Sequence, residues 1–445
     1  MDFAFYRSLV EKHKDAILEA ERWIWKHPEP GYREFQTNQY LREKFEALGY
    51  TLQGPSDLTG FYTDIDTGRP GPKIMVLGEL DAVPQPDHPE AVNGYAHACG
   101  HNVQCAALYG IALALKEPGA LDGLSGTIRL MAIPAEESLE MSFREKLPEL
   151  GIGYASGKVE YMRRGYMDGV DLAYMIHAHF RGEPKFDCND SNGLMTETFT
   201  VEGKAAHSGS GPHKAVNALN AATLGIQGIH DARETFQEKD RVRVNTLITE
   251  GGVSVGAVPG KVKLTSQVRS ASLESILDTL HKVERAMAGG ALSVGAKLHI
   301  QGIGCNMPLH NSDELKEVAG KCMAYLVGRE QVNMHRAPVA SCTDMGDLSC
   351  IMPVMHAHVA GAAGQSHSAS YQVTDPYTAA VLNATADVLI AAALLENDAA
   401  EAKRVIAAYQ KPMASAKEYF ALREKFRTER DAITYDEDGS VTVRF

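Results

Sequence analysis

Three short apolar segments that run directly into polar side chains constrain the fold of this chain most. They are KIMVLGELDA (73–82), GTIRLMAIPAEES (126–138) and DLAYMIHAHF (171–180), and a strongly apolar helix is predicted over 101–117. Short apolar runs of this kind are typical of strands that are buried on both faces of a sheet. Because such strands alternate with helices here, the sequence predicts an α/β fold with a mostly parallel sheet covered by helices.

The pattern changes near residue 194, where polar and apolar residues begin to alternate. Strands are predicted at 194–206, 241–250, 261–270 and 296–304, with helices at about 213–232 and 273–289. The order β-α-β-β-α-β is typical of a small α+β domain, a four-stranded sheet with its helices on one face. From about residue 310 the chain returns to the alternation of helices and apolar strands that is seen in its first part.

These changes divide the chain into four regions. We predict one domain in two parts, residues 1–193 and 309–396, with the small α+β domain, 194–308, inserted between them. The C-terminal extension, 397–445, is rich in charged residues, with a predicted helix at about 414–430 and a short terminal strand.

Composition narrows the classes of partner. The net charge of -13 argues against nucleic acid and against membrane as partners, since both need clustered Lys and Arg. The seven cysteines are odd in number and scattered, which favours reduced thiols and predicts a cytoplasmic protein. The first residues lack an apolar signal core, and we predict no transmembrane helix.

Residue types that bind metals follow the predicted strands. The groups are Asp81, then Cys99 with His101, then Glu136 with Glu137, and finally His177 with His179. In an open α/β sheet, ligands bind beyond the carboxyl ends of the strands, so these separate segments can converge. Thiolate, imidazole and carboxylate together suit zinc, manganese or cobalt.

Each group also has an ordinary structural explanation when it is taken alone. Adjacent carboxylates usually lie on the surface, and either His177 or His179 could be a core histidine. His356 and His358, which belong to an apolar segment, are interpreted as structural. Cys99 and His101 could form the dyad of a cysteine hydrolase, but they are poorly placed for it and the acidic pair would then have no role.

Several longer motifs carry a resemblance to a known family. They are HPEPGYREFQT (27–37), GELDAVP (78–84), GYAHACGHN (94–102), PAEES (134–138), DLAYMIH (171–177), GKAAHSGSGPHKAVNAL (203–219), GGVSVGAVP (251–259), QVRS (267–270), CTDMGDLS (342–349) and GQSHSASY (364–371). With them the chain resembles metallopeptidase family 20, the aminoacylase and carboxypeptidase superfamily. Within it, the chain is similar to the amidohydrolase branch of hippurate hydrolase, auxin-conjugate hydrolases and aminobenzoyl-glutamate hydrolase.

The resemblance implies a site with two divalent metal ions, zinc or manganese, with cobalt as a further candidate. The implied ligands are Cys99, His101, Glu137, His177 and His367, with Cys99 bridging both ions and its thiolate favoured near a helix start. Glu136 is implied as general base and acid, and Asp81 as a residue that supports the metal site. In the inserted domain, His207 is implied to polarise the scissile carbonyl and Arg269 to hold a substrate carboxylate.

The implied activity is hydrolysis of the amide bond in an N-acyl or aryl-acyl amino acid. A dipeptidase or carboxypeptidase on the same scaffold is the alternative, and a non-catalytic binding protein is the alternative of another class. The inserted domain is implied to be a lid and dimerisation domain, which predicts a homodimer or a higher homo-oligomer. Two positions depart from the family pattern: Asn102 stands where Asp is usual and Gly256 where Asn is usual.

Overall fold

The structure is a computed structural model that describes residues 2–445 and divides into two compact units. Unit 1 comprises the chain up to Asp190 together with His310–Ala337 and Asp347–Ala416, and unit 2 comprises Ser191–Leu309, Pro338–Gly346 and Lys417–Phe445. The α/β architecture with an inserted α+β domain confirms the predicted fold class.

The helices and strands are numbered in chain order. The helices are α1 (Phe3–Glu11), α2 (Lys14–Trp25), α3 (Phe35–Ala47), α4 (His101–Leu115), α5 (Met141–Arg144), α6 (Gly157–Arg163), α7 (Ala218–Asp231), α8 (Leu273–Val294), α9 (Asp313–Val327), α10 (Met345–Ser349), α11 (Asn383–Ala408) and α12 (Ala416–Glu424). The strands are β1 (Phe61–Asp66), β2 (Lys73–Glu79), β3 (Val83–Pro84), β4 (Tyr95–Ala96), β5 (Thr127–Ile133), β6 (Leu172–Ala178), β7 (Phe186–Cys188), β8 (Gly193–Glu202), β9 (Ala206–His207), β10 (Arg243–Glu250), β11 (Ala257–Val258), β12 (Lys261–Ser270), β13 (Lys297–Asn306), β14 (Val332–Asn333), β15 (Val354–Val359), β16 (Ala362–Ala363), β17 (Gln372–Val373), β18 (Glu429–Tyr435) and β19 (Val441–Val443).

The sheet of unit 1 has seven strands in the order β1-β5-β2-β6-β15-β7-β14. The central strands β5, β2, β6 and β15 run parallel, whereas β1 is antiparallel to β5. Six of the seven residues of β2 and of β5 are buried, as expected for strands that are covered on both faces. The carboxyl ends of these strands therefore meet at one edge of the sheet.

Two apolar helices form much of the core of unit 1. Every residue of α4 is buried, and α11 packs against α4 and α9. A π-helical segment, Tyr377–Leu382, runs into α11, and the stretch Tyr377–Ala408 is long and apolar enough to cross a membrane. No such stretch is predicted from the sequence. In the structure 94% of its apolar window is buried inside the protein, which is the property of a core helix.

The sheet of unit 2 has six strands in the order β10-β12-β8-β13-β18-β19, all antiparallel to their neighbours. Along β12, Val262, Leu264 and Val268 are buried and alternate with partly exposed residues. The helices α7 and α8 pack on the buried side, and the opposite side of the sheet carries the polar side chains.

The C-terminal extension differs from the prediction. It is not a separate region, because residues 397–416 belong to unit 1 and 417–445 to unit 2. The helix predicted at 414–430 is shorter, Ala416–Glu424, and its last predicted residues begin strand β18, which pairs with β13. The predicted four-stranded sheet therefore has six strands. Local periodicity does not reveal this pairing, because the partner strand lies more than 120 residues away.

Candidate active site

The candidate ligands of unit 1 gather because they follow neighbouring parallel strands. Strand β2 lies between β5 and β6 in the sheet. Asp81 follows β2, Glu136 and Glu137 follow β5, and His177 is the penultimate residue of β6. Parallel strands point their carboxyl ends to the same edge, so residues nearly 100 positions apart become neighbours.

Two groups of three ligand atoms share one cysteine. Cys99, His101 and His177 form the first group, and Cys99, Glu137 and His367 form the second. In each group the ligand atoms lie within 4.8 Å of one another. The Cys99 sulfur is 3.3 Å from Nε2 of His177, and Nε2 of His367 is 3.0 Å from a carboxylate oxygen of Glu137. The structure thus brings together all five of the ligands that the resemblance implies.

A glycine between Cys99 and His101 allows this arrangement. Gly100 has a φ of +96° and caps α4, so that His101 is the first residue of the helix. A Cβ atom on Gly100 would overlap the hydroxyl of Tyr371 and would lie 2.9 Å from Cβ of Ala178. Only glycine suits both this backbone conformation and the close approach of these neighbours.

The buried side chain of Asp81 supports two of the ligands. One of its carboxylate oxygens accepts a hydrogen bond of 2.8 Å from the backbone N–H of Glu137. The other lies 3.2 Å from Nδ1 of His101, and the backbone carbonyl of Asp81 lies 2.9 Å from the same nitrogen. These contacts turn Nε2 of His101 toward the ligand cluster, as expected of a residue that supports a metal site.

The turn that carries the two adjacent glutamates has an unusual backbone. Ala135 has a φ of +51°, which is uncommon for a residue with a side chain. Its N–H donates to the buried carboxyl of Glu34 at 2.8 Å, and its carbonyl accepts from the N–H of Gly157 at 2.8 Å. Burial, and then the charge of Asp81, raise the pKa of Glu34 to about 8.

A buried ion pair beside the cluster was not predicted from the sequence. Glu79, the last residue of β2, pairs with Lys158, and another of its oxygens lies 3.1 Å from Nε2 of His101. Glu79 also joins His101 and Glu136 in a third group of potential ligand atoms. Burial alone would raise the pKa of Glu79, but Lys158 and His101 outweigh it and hold the pKa below its usual range. The signal in the sequence is the position of Glu79 in the motif GELDAVP, two residues before Asp81.

The environment of Cys99 corrects one expectation. Burial, and then the charge of Glu137, raise the pKa of the Cys99 thiol well above its usual value, although it lies at a helix start. Burial also lowers the pKa of His177 to about 3. Helix position is therefore not sufficient to make Cys99 a thiolate, and a cation beside it would be the group that favours deprotonation.

His177, and not His179, faces the cluster. Strand β6 ends at Ala178, so the alternation stops there, and Nε2 of His179 points to the carbonyl of Pro184 at 3.2 Å. The rings of His356 and His358 lie 5.6 and 6.1 Å from the ring of His177. These two histidines, for which the sequence predicts a structural role, lie near His177 without belonging to either ligand group.

His367 is the most exposed of the five ligands, with 53% of its side chain accessible. Its φ is +59°, and its backbone N–H donates to the carbonyl of Ala98 at 2.8 Å. This bond ties the loop after β16 to the segment just before Cys99. The hydrogen bond thereby brings His367, from the last segment of unit 1, next to the motif HACGHN.

Asn102, which stands where the family pattern has aspartate, has a hydrogen-bond partner in the structure. Its side-chain N–H donates to Glu21 at 2.7 Å, and both side chains are buried. Burial raises the pKa of Glu21 to about 7. An aspartate at position 102 would face a second carboxylate, whereas the amide of Asn102 supplies a donor, so the two residues fit as a pair.

The remaining two predicted residues lie in unit 2. The ring of His207 is exposed, and its Nδ1 accepts hydrogen bonds from the N–H groups of Gly209 and Ser210 at 3.0 and 3.1 Å. These bonds leave Nε2 as the protonated nitrogen, which can donate to a carbonyl. Arg269 lies on the polar side of β12, where its Nε donates to Gln267 at 3.0 Å.

The donor set fits a pair of divalent cations. One thiol, three imidazoles and a carboxylate match the ligand types of zinc and manganese. The buried Nε2 of His101 lies 3.1 Å from a carboxylate oxygen of Glu79 without an aligned hydrogen bond, so a coordination bond would satisfy it. Several carboxylates around the cluster also favour positive charge there.

Known proteins with similar sequences are hydrolases of amide or peptide bonds. A family model described as a peptidase dimerisation domain matches residues 189–293. Over 303 residues the chain is 27% identical to one component of the p-aminobenzoyl-glutamate hydrolase of Escherichia coli, a match that covers 65% of this chain and 58% of that protein. It is 26% identical over 389 residues to the human Xaa-Arg dipeptidase, covering 81% and 80% of the two chains.

Solved structures share the fold. The YXEP protein of Bacillus subtilis, described as a dinuclear metal-binding peptidase of the M20 family, superposes with a TM-score of 0.67 at 19% identity. The superposition covers 86% of this chain and 99% of that one. The chain therefore shares the fold of an M20 peptidase and is similar in sequence to proteins named as hydrolases of amide or peptide bonds.

Proposed function

We propose that the chain is a dinuclear metal-dependent amidohydrolase that cleaves the amide bond of N-acyl or aryl-acyl amino acids. The observation that carries this proposal is the sharing of the Cys99 sulfur between two groups of ligand atoms. A thiolate in that position can bridge two ions, and Glu136 lies in a third group with His101 and Glu79.

The residues divide into those that hold ions and those that handle substrate. We assign His101 and His177 to one ion, Glu137 and His367 to the other, and Cys99 to both. When bound, zinc, manganese or cobalt would supply Lewis acidity to the substrate carbonyl and to the attacking water.

The proton transfer is assigned to Glu136. Its carboxylate accepts a proton from the attacking water as the new C–O bond forms, and it returns that proton to the nitrogen as the C–N bond breaks. Arg269 is assigned to the substrate carboxylate, because a guanidinium donates two parallel hydrogen bonds to such a group. His207, with Nε2 protonated, is assigned to the scissile carbonyl.

A dipeptidase or carboxypeptidase on the same scaffold is the second candidate. The human relative is named an Xaa-Arg dipeptidase, and a relative from Saccharolobus solfataricus is named a thermostable carboxypeptidase. The two candidates differ in whether the substrate carries a free amino group. A non-catalytic binding protein would retain substrate without releasing product.

We further propose a homodimer in the cytosol. The matched family model describes a dimerisation domain, and β10 forms an edge of its sheet, where Leu247 is 60% exposed. An exposed strand edge invites pairing with a second copy. The seven cysteines are odd in number and scattered along the chain, which suits a reducing compartment.

The proposal is tested by metal analysis together with a substrate panel. Wild-type protein is expected to bind two divalent ions per chain and to release amino acid from N-acyl amino acids or aminobenzoyl-glutamate faster than from dipeptides. Cys99→Ala should stay folded by circular dichroism but lose metal. Full metal occupancy in that variant, or turnover that survives a strong chelator, would contradict the proposal.

Glutamate variants separate the two roles of the adjacent carboxylates. Glu136→Gln removes a proton acceptor of the same size, so metal should remain while turnover falls by about 10²–10⁴-fold. Glu137→Gln should instead reduce metal content. Glu149→Gln, a change at an exposed position after the same strand, is the matched control and should alter neither property. Exchanged phenotypes would show that the two roles are assigned wrongly.

A further inference from the structure

The segment HPEPGYREFQT (27–37), between α2 and α3, supplies none of the residues that are assigned to metal or substrate. It nevertheless contacts the loops after two neighbouring strands of the sheet, β2 and β5. The carbonyl of Glu29 accepts a hydrogen bond of 2.8 Å from the N–H of Ala82, the residue after the aspartate that supports the ligands. The carboxyl of Glu34 accepts one of 2.8 Å from the N–H of Ala135, the residue before the two adjacent glutamates.

The carboxyl of Glu34 is fully buried, and both of its oxygens accept hydrogen bonds. The hydroxyl of Thr59 donates to the oxygen that does not contact Ala135. The carbonyl of Thr59 in turn accepts a hydrogen bond of 2.7 Å from the hydroxyl of Tyr161. Burial of a carboxyl group is unfavourable unless such partners satisfy it. These contacts therefore fix the orientation of the Glu34 side chain toward the turn.

The turn itself is enclosed on several sides. Ala135 has a φ of +51°, an unfavourable conformation for a residue with a side chain, so neighbouring groups must hold it. Glu34 binds its N–H, and the N–H of Gly157 binds its carbonyl. A Cβ atom on Gly31 would lie 2.9 Å from Cα of Ala135, and one on Gly157 would overlap the carbonyl of Pro134. This close packing leaves the turn little room for another conformation.

The conformation of Ala135 sets the direction in which the next two side chains leave the turn. The N–H of Glu137 donates to Asp81 at 2.8 Å, so the turn is held by one carboxyl group on each side of Glu136. We propose that Glu34 is a positioning residue, whose carboxyl keeps Ala135 in its left-handed conformation and thereby places Glu136 and Glu137 at the ligand cluster. The roles of these two glutamates rest on the proposed function.

Two substitutions of Glu34 separate the lost hydrogen bond from the lost charge. Glu34→Leu removes the acceptor for the N–H of Ala135, whereas Glu34→Gln keeps an oxygen for that N–H and can donate to Thr59. We expect kcat of the metal-loaded full-length Glu34→Leu protein to fall by about 10–100-fold with KM nearly unchanged, because the glutamates are misplaced and no substrate contact is lost. Its metal affinity in a chelator competition assay should fall by about tenfold. Glu34→Gln should stay within about twofold of wild type in both properties.

Tyr50→Phe is the control for a loss of stability alone. It removes another buried hydrogen bond of unit 1, the one of 2.8 Å from the Tyr50 hydroxyl to the carbonyl of Ala112. This variant should melt at a lower temperature but keep its kcat and its metal affinity. If Glu34→Leu does not fold, Glu34→Asp withdraws the acceptor while keeping the charge, and it should lose kcat and metal affinity in the same direction.

Three results would overturn the inference. They are wild-type kcat and metal affinity in folded Glu34→Leu or Glu34→Asp, an equal loss in Glu34→Gln, and an equal loss in Tyr50→Phe. Wild-type protein that binds metal but hydrolyses no amide would refute the proposed function alone, because the metal affinities still test the positioning role. Hydrolysis that depends on Glu136 but not on Glu34 would refute the inference alone.

Discussion

At the scale of single residues, the site depends on a buried carboxylate that need not touch substrate. The two oxygens of Asp81 face different neighbours, the N–H of Glu137 and Nδ1 of His101. The carboxylate of Asp81 thus orients two of the candidate ligands, His101 and Glu137. Residues of this kind typically account for about 10–100-fold in metal affinity.

Replacing Asp81 by asparagine should therefore weaken metal binding without unfolding the protein. The new amide keeps one acceptor but presents a donor to a second donor, either His101 or the N–H of Glu137. We expect metal affinity to fall by about 10–100-fold in a chelator competition assay. Asp87→Asn, at an exposed position just after β3, is the control. Unchanged metal affinity in Asp81→Asn would mean that Asp81 does not orient the ligands.

At the scale of elements, strand β18 is joined to helix α8 by a buried charged group. Arg430 of β18 pairs with Glu284 of α8, which also lies near Glu197 of β8. The side chain of Glu284 is only 4% exposed. Burial, and then the charge of Glu284, raise the pKa of Glu197 to about 8. The guanidinium of Arg430 thus interacts with two buried carboxyl groups, those of Glu284 and Glu197. With a pKa of about 8, Glu197 keeps its proton at neutral pH.

This cluster predicts a pH dependence of stability. The folded protein holds a proton on Glu197 that the unfolded chain releases above a pKa of about 4.5, so stability should fall as pH rises from about 4.5 to 8. The slope is at most about 1.4 kcal/mol per pH unit. Glu197→Gln should remove this loss and raise the melting temperature at pH 8 more than at pH 5. Glu202→Gln, at the exposed end of the same strand, should not.

At the scale of the whole molecule, the sheet of unit 2 ends in a long edge strand, β10, on one side and in a short edge strand, β19, on the other. Strand β10 has eight residues, whereas β19 has three. Pairing through a single edge gives a closed dimer, while two open edges would allow continued growth. Because a very short edge strand offers little to a second copy, β19 disfavours continued growth, and pairing through β10 would stop at two copies.

A complementation experiment tests whether two chains share a site. His207→Ala should keep its metal and lose turnover more than substrate affinity, because a carbonyl contact acts in the transition state. Mixed with Glu136→Gln under conditions that let protomers exchange, it should regain part of the activity if His207 serves the partner. Each variant mixed with itself is the control. Verified heterodimers without activity, or a monomer by light scattering, would refute shared sites.

The fold class and the strand ends that carry candidate ligands could be read from local patterns, whereas the set of five ligands, with His367, is what the family resemblance implies. Apolar strands that end in Asp81, Glu136 and His177 predict where these side chains meet, because parallel strands direct their carboxyl ends to one edge. These conclusions depend on short stretches of sequence and on rules that hold for most α/β sheets.

Other features arise from contacts between distant segments, which no local pattern encodes. Glu79 meets Lys158 across 79 residues, and β18 pairs with β13 across more than 120. Alternation predicts that His177 and His179 share a face, but the end of β6 at Ala178 turns them apart. The sequence alone therefore specifies the elements and the chemistry available at their ends, and three-dimensional packing selects which side chains meet, because burial and register depend on the whole chain.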